Sequence, residues 1–161
     1  MPVYKADNTM QSDNTPLITW TDSLAIGIDL IDEQHKHLVA LTNELYQACR
    51  LGGEELDSVF KSTMSNMVDY VRFHFTCEQA MLQRVKYPNF VDHKKEHDSL
   101  VKTVLESTKN YGDGKKFVPN TFVRFLKDWI VSHIGHCDKM YALYIVDQMK
   151  KGLLTNKDIT G

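Results

Sequence analysis

His35, His74, Glu78, His93, His97 and His133 are the residues whose types and spacing could do chemistry in this chain. Imidazoles and carboxylates are metal donors, and the spacing brings them together. His74 and Glu78 are four residues apart, as are His93 and His97. In a helix each pair therefore projects from one face, about one turn apart. All six stand where a helix seam would otherwise carry Leu or Ile, which sends them inward. Burying such groups without partners costs about 1–3 kcal/mol for each unsatisfied group. A single buried histidine is ordinarily satisfied by a hydrogen bond from a neighbour. Six donors at one level of facing seams need a common solution, and inside a helix bundle that solution is a metal site.

Asp138 is the seventh donor expected there. It lies five residues after His133, and five residues of regular helix leave two side chains roughly 140° apart. Either the helix gains one residue, as in a π-bulge, and Asp138 turns inward, or the helix is unbroken and Asp138 faces solvent. Asp138, Ala142, Ile145 and Met149 restart a four-three alternation one residue late, which favours the bulge. Gly135 supplies the local freedom. Two octahedral ions together offer about twelve coordination positions. Five imidazoles, two bridging carboxylates and a bridging hydroxide or oxide fill all but one, which a small ligand can take.

Four helices are needed to position these donors, and four helical patterns are present. The first runs from about Asp32 to Leu51, with Ile31, His35, Leu38, Thr42, Leu45 and Cys49 on one stripe and Gly52-Gly53 as its stop. The second runs from about Glu54 to Lys86 on a seam of Phe60, Met64, Met67, Val71, His74, Glu78, Met81 and Val85, ended by Tyr87-Pro88. A third covers about Asn89 to Tyr111. The fourth follows Pro119, carries Phe122, Leu126, Trp129 and His133, and ends near Lys150. Short loops between long helices make neighbours antiparallel, so the expected fold is all-α: an up-down-up-down four-helix bundle. Thr19 to Asp32 alternates like a strand, but one strand without a partner is not viable. It reads as an extended N-terminal arm laid on the bundle. The expected organisation is a loose arm over 1–17, the bundle over 18–150, and a tail over 151–161.

Composition narrows the function classes. Apolar residues make up 42% and charged residues 25% of the chain, ordinary globular values that argue against disorder. A formal net charge of -2 argues against nucleic acid as the main partner. No apolar run approaches the roughly 18 residues of a membrane span, and no secretory signal is visible. Cys49, Cys77 and Cys137 are an odd number without finger spacing, so the expected setting is a reducing cytoplasm.

Four motifs in order carry a resemblance: Ile31-Asp-Glu-Gln-His35-Lys, His74-Phe-x-x-Glu78, His93-x-x-x-His97 and His133-Ile-x-x-x-Asp138, with Trp20 before them and Lys139-x-Tyr141 after. The sequence resembles the hemerythrin family, specifically its bacterial single-domain members, over about residues 18 to 147. The resemblance implies two iron ions with a bridging hydroxide or oxide. His93, His97 and His133 would hold one iron, His35 and His74 the other, and Glu78 and Asp138 would bridge them. The second iron is then five-coordinate and binds dioxygen reversibly. Five neutral ligands against two anionic ones set this site apart from ferritin-like di-iron oxidases, whose carboxylate-rich ligands favour higher oxidation states.

Phe75, Trp129 and Ile134 adjoin ligands and look like pocket residues of the family, with ordinary core packing as the other reading. Family members usually carry a bulky apolar residue two positions after the ligand here numbered His133. This chain has Gly135 there, followed by His136, which leads to the expectation of a wetter pocket. Cys77 and Cys137 precede the two bridging carboxylates and read as buried thiols, and His37 reads as a surface residue. The expected function is dioxygen storage, delivery or scavenging, without enzymatic turnover. Two other readings stay open: a di-iron enzyme acting on peroxide, nitric oxide or oxygen, and a sensor working through a partner protein.

Overall fold

Seams with a four-three spacing become helices, and the bends between them fall at glycine and proline. The computed structural model describes residues 15–161, so all but the last three residues of the loose arm expected over 1–17 lie outside them. Helix α1 is Asp29–Ala48, α2 is Gly53–Arg84, α3 is Phe90–Gly112 and α4 is Pro119–Ser132. A π-helical segment, His133–Asp138, joins α4 directly to α5, Lys139–Lys150. No strand occurs among the described residues. The chain is a helical bundle in which α1 packs against α2 and α4, and α2 against α3. The fourth member of the bundle is the continuous run α4–π–α5. None of these helices is long and apolar enough to cross a membrane.

The arm is tied down by polar contacts and not by strand pairing. Ile18 and Asn43 exchange two hydrogen bonds of 2.9 Å, backbone to side-chain amide. Ile18 and Leu24 are buried against the bundle. At Gly27 the chain turns with φ +82, a conformation that favours glycine. The Asp32 carboxylate then accepts the Ile26 and Gly27 N–H groups at 2.8 and 2.9 Å. That capture lets α1 begin at Asp29, three residues before the Asp32 start read from the sequence. At the other end α2 stops where Lys86 takes φ +54, just before Tyr87-Pro88.

The expected tail is ordered differently. Thr155 and Asp158 form a reciprocal capping box that starts a short helix, α6, Asn156–Thr160. Arg84 of α2 holds α6 by donating to the Asp158 and Ile159 carbonyls at 3.2 and 2.9 Å.

The buried apolar side chains fall into two clusters. One, around Leu38, Leu45, Met67, Leu100 and Leu126, fills the end of the bundle nearer the α1–α2 turn. The other, around Ile31, Met81, Leu82, Tyr141 and Ile145, fills the opposite end. Between them lies a buried polar layer.

Candidate metal centre

All seven expected donors lie in that layer, and none is more than 5% exposed. α1 supplies His35, α2 supplies His74 and Glu78, α3 supplies His93 and His97, and the π-helical segment opens with His133 and closes with Asp138. The extra residue needed to turn Asp138 inward is thus absorbed between these two donors. Their ligand atoms form two overlapping groups, each within 4.8 Å: Glu78, His93, His97, His133 and Asp138 in one, His35, His74 and Glu78 in the other.

The carboxylates divide their oxygens between the two halves. Glu78 Oε1 accepts from His93 Nε2 at 2.6 Å and lies 3.5 Å from His97 Nε2, while Oε2 faces His74 Nε2 at 3.4 Å. Asp138 Oδ1 lies 3.2 Å from His133 Nε2, and Oδ2 lies 3.1 Å from His35 Nε2. Each carboxylate is therefore placed to bridge a three-histidine half and a two-histidine half.

The donors are short of protons. His97 Nε2 and His133 Nε2 stand 3.0 Å apart, and a single proton at most can lie between them. Both ring nitrogens of His35, Glu78 Oε2 and both Asp138 oxygens are buried without a properly aligned hydrogen bond. Convergent lone pairs of this kind are costly in a plain core and are what cations require. The residues present therefore fit a pair of bound metal ions.

Electrostatics point the same way. Burial, reinforced by neighbouring imidazoles, pushes His74 down to about 3 and also lowers His97. Both rings stay neutral, with a lone pair free for a metal. Burial opposes charge on Asp138 as well, but contacts from His133 and His35 hold its carboxyl below the usual carboxylate range. Glu78 is raised by burial and by the charge of Asp138. His93 is raised despite burial, because Glu78 accepts its proton.

These shifts give a pH dependence for the metal-free fold. His74 and His97 remain neutral when folded but titrate near 6.5 when unfolded, so below that pH the unfolded chain binds more protons. Their contribution to stability falls as pH drops from about 6.5 towards 3. Proton uptake by folded Glu78 opposes this in part, and His93, raised by Glu78, adds a little to the same side. Chelator-treated protein is expected to lose on the order of 2 kcal/mol between pH 6.5 and 5. Equal melting temperatures at the two pH values would contradict this balance of charges.

Two glutamines that the sequence reading did not single out orient the ligands. His74 Nδ1–H donates to the buried Gln34 Oε1 at 2.9 Å. The Gln79 carboxamide lies 3.2 Å from His97 Nδ1. With a metal on Nε2 the proton of each ring sits on Nδ1, so Gln79 would present its oxygen. Their only signal in the sequence is adjacency to His35 and Glu78. Gln34→Leu is expected to weaken metal retention about 10–100-fold in competition with a chelator, while Gln34→Glu, which keeps the acceptor, retains it. Unchanged retention in Gln34→Leu would remove its role in holding the ring.

Aromatic rings back the opposite side. Phe75 stacks on His97 at 3.6 Å between centroids with planes 3° apart, and Trp129 stacks on His133 at 4.3 Å and 13°. Tyr141, fully buried, adds a hydroxyl without an aligned partner, and burial together with the nearby Glu78 and Asp138 raises its phenol well above the ordinary value.

A family model, the hemerythrin HHE cation binding domain, matches residues 26–144. The chain belongs to the hemerythrin family. A bacteriohemerythrin of Methylococcus capsulatus is 33% identical over 132 residues, covering 78% of this chain and 95% of that protein. A hemerythrin-like protein of Naegleria gruberi is 30% identical over 122 residues, covering 76% and 88%. A crystal structure of a wild-type hemerythrin matches with a TM-score of 0.73 at 32% identity, covering 78% of this chain and 95% of that one.

One expectation about this hemerythrin site is overturned. Gly135 is exposed, and a Cβ built there meets nothing within 4 Å. It opens no gap beside the donors, and His136 is exposed with it. The π-helical turn directs Ile134 inward, where it is 2% exposed within the apolar core. Cys77 and Cys137 are half-buried and not fully enclosed. Burial and the adjacent Asp138 raise the Cys137 thiol.

Proposed function

We propose that the cluster holds two iron ions and binds dioxygen reversibly, for storage, delivery or scavenging, without catalytic turnover. The observation that carries this reading is the division of Glu78 and Asp138 between two histidine sets of unequal size. His93, His97 and His133 would hold one ion, and His35 and His74 the other, with both carboxylates shared and a hydroxide or oxide between the ions. When bound, a ferrous pair supplies one open coordination position and two electrons that can be lent to a ligand and recovered. The two-histidine half has one donor fewer, so an open position would fall there.

The chain's own residues favour reversibility. Five neutral imidazoles and two carboxylates donate less negative charge than a carboxylate-rich set. Phe75, Trp129 and Ile134 pack around the donors and keep water from the rings. Gln34 and Gln79 fix the rings and so keep the donor atoms in place. A reducing cytoplasm is the proposed setting, supported by three free cysteines.

Metal analysis of protein produced with ample iron is expected to give close to two iron ions per chain. Rapid mixing of the reduced, iron-loaded protein with oxygen is expected to give an absorbing adduct that returns oxygen under vacuum. One zinc per chain with no such absorption would overturn the di-iron reading. Sustained oxygen consumption with added reductant would replace the carrier reading with an enzymatic one.

A further inference from the structure

Two surface grooves reach the donor layer from outside. One ends at His133 and is walled in part by Arg124 and Asp128. The other, about 360 Å³, ends at His93 beside the turn between α2 and α3. Asp92, Glu96, the His136 imidazole and Cys137 line this second groove, together with Met140. No lysine or arginine is among its lining residues. Asp92 and Glu96 are four apart, so both project from one face of α3, with His93 between them in the chain. His136 comes from the π-helical segment, whose extra residue turns Asp138 inward and leaves His136 exposed.

Charge and ligand type at this groove suit a divalent metal ion. Asp92 shares its charge with Lys95 at 2.8 Å, but Glu96 enters no ion pair among the described residues. The Glu96 carboxylate is felt within the groove: behind burial and Asp138, it adds to the raised Cys137 thiol. Carboxylate oxygens and an imidazole accept first-row divalent ions, each replacing one water of a hydrated ion.

His93 joins the groove to the centre. Its ring is 5% exposed, lines the groove and belongs to the larger donor group. Nε2 donates to Glu78, but Nδ1 has no hydrogen-bond partner among the described residues. Nδ1 of His74 and of His97, by contrast, faces Gln34 and Gln79. In the metal-free protein a ring tied at one nitrogen can swing outward, take an ion from the groove and return to the donor layer.

We infer that this groove is a capture site through which divalent metal ions enter and leave the centre, with Glu96 and His136 as first ligands and His93 as the gate. The destination of those ions rests on the metal-pair reading proposed above. Capture there is transient. An ion held only by exposed side chains keeps most of its water and passes on to the buried donors, which replace it.

Cobalt(II), which takes the same ligand types and absorbs visible light when they hold it, is the probe. Chelator-treated wild-type protein mixed with cobalt is expected to load two ions per chain. Glu96→Gln is expected to slow loading severalfold at low salt and less at high salt, with two ions still bound at the end. Asp128→Asn makes the same charge change at the other groove and is expected to load at the wild-type rate. Met140→Trp narrows the groove from a half-exposed position and is expected to slow loading and chelator-driven release by one common factor. Wild-type loading rates in Glu96→Gln or in Met140→Trp overturn the inference. So does equal slowing in Asp128→Asn, which would report only the overall charge. Wild-type protein that binds no cobalt overturns the metal-pair reading and the route with it, an outcome read from stoichiometry at equilibrium and not from rates.

Discussion

Glu78→Ala is expected to abolish loading of the metal pair, leaving fewer than one tightly held ion per chain. Glu78 is 0% exposed and, among the described residues, is the one that belongs to both donor groups. In the proposed pair its removal would take a donor from each ion and negative charge from between them. Loss of a hydrogen-bonding partner behind a ligand already costs about 10–100-fold in metal affinity, so loss of a bridging ligand is expected to exceed about 100-fold. His35→Ala removes one neutral donor from one ion and is expected to leave the three-histidine half loaded. Glu78→Gln preserves shape and controls for folding. Metal analysis after gel filtration, with circular dichroism to confirm the helices, reads the outcome. Normal iron content and reversible oxygenation in Glu78→Ala would overturn the assignment of the bridge.

Metal loading itself is expected to raise the melting temperature by about 15–30 °C. A ligand present at about a thousandfold over its dissociation constant contributes ~4 kcal/mol, so two ions contribute ~8 kcal/mol. For a chain of this length each kcal/mol shifts the midpoint by about 2–4 °C. The structure supplies the reason for so large a response. Without metal, the layer between the two apolar clusters holds orphaned groups on His35, Glu78 and Asp138. With metal, each of these residues would supply a ligand atom, and the two clusters would be joined through them. Thermal unfolding of chelated and reloaded protein at one pH measures the difference. A rise of less than about 5 °C would show that the layer satisfies itself through internal hydrogen bonds, such as His93 to Glu78.

The donors were legible in the sequence because each answers to local geometry. His74 with Glu78, and His93 with His97, share a face by helical periodicity alone. The late restart of the alternation at Asp138 revealed an inserted residue, and the π-helical segment contains it. The outward placement of Gly135 was not legible. A π-turn spreads one extra residue over several positions, and the direction of each Cβ within it depends on what the turn packs against. Ile134 went to the core and Gly135 to solvent. The capping box of α6 was present as Thr155-Asn-Lys-Asp158, but a helix that short forms only where α2 offers Arg84 to hold it.

By itself the sequence determined which side chains could bind metal, how many there are, and that four helices bring them to one level. These are consequences of spacing along single helices, where a rise and a rotation per residue are known in advance. Only the tertiary structure decided how those donors are shared. That Glu78 offers one oxygen to His93 and the other to His74, and Asp138 one to His133 and the other to His35, depends on rotation and height between separate helices. The same holds for Gln34 behind His74. Relative placement of helices is set by the packing of residues far apart in the chain, and no local pattern encodes it.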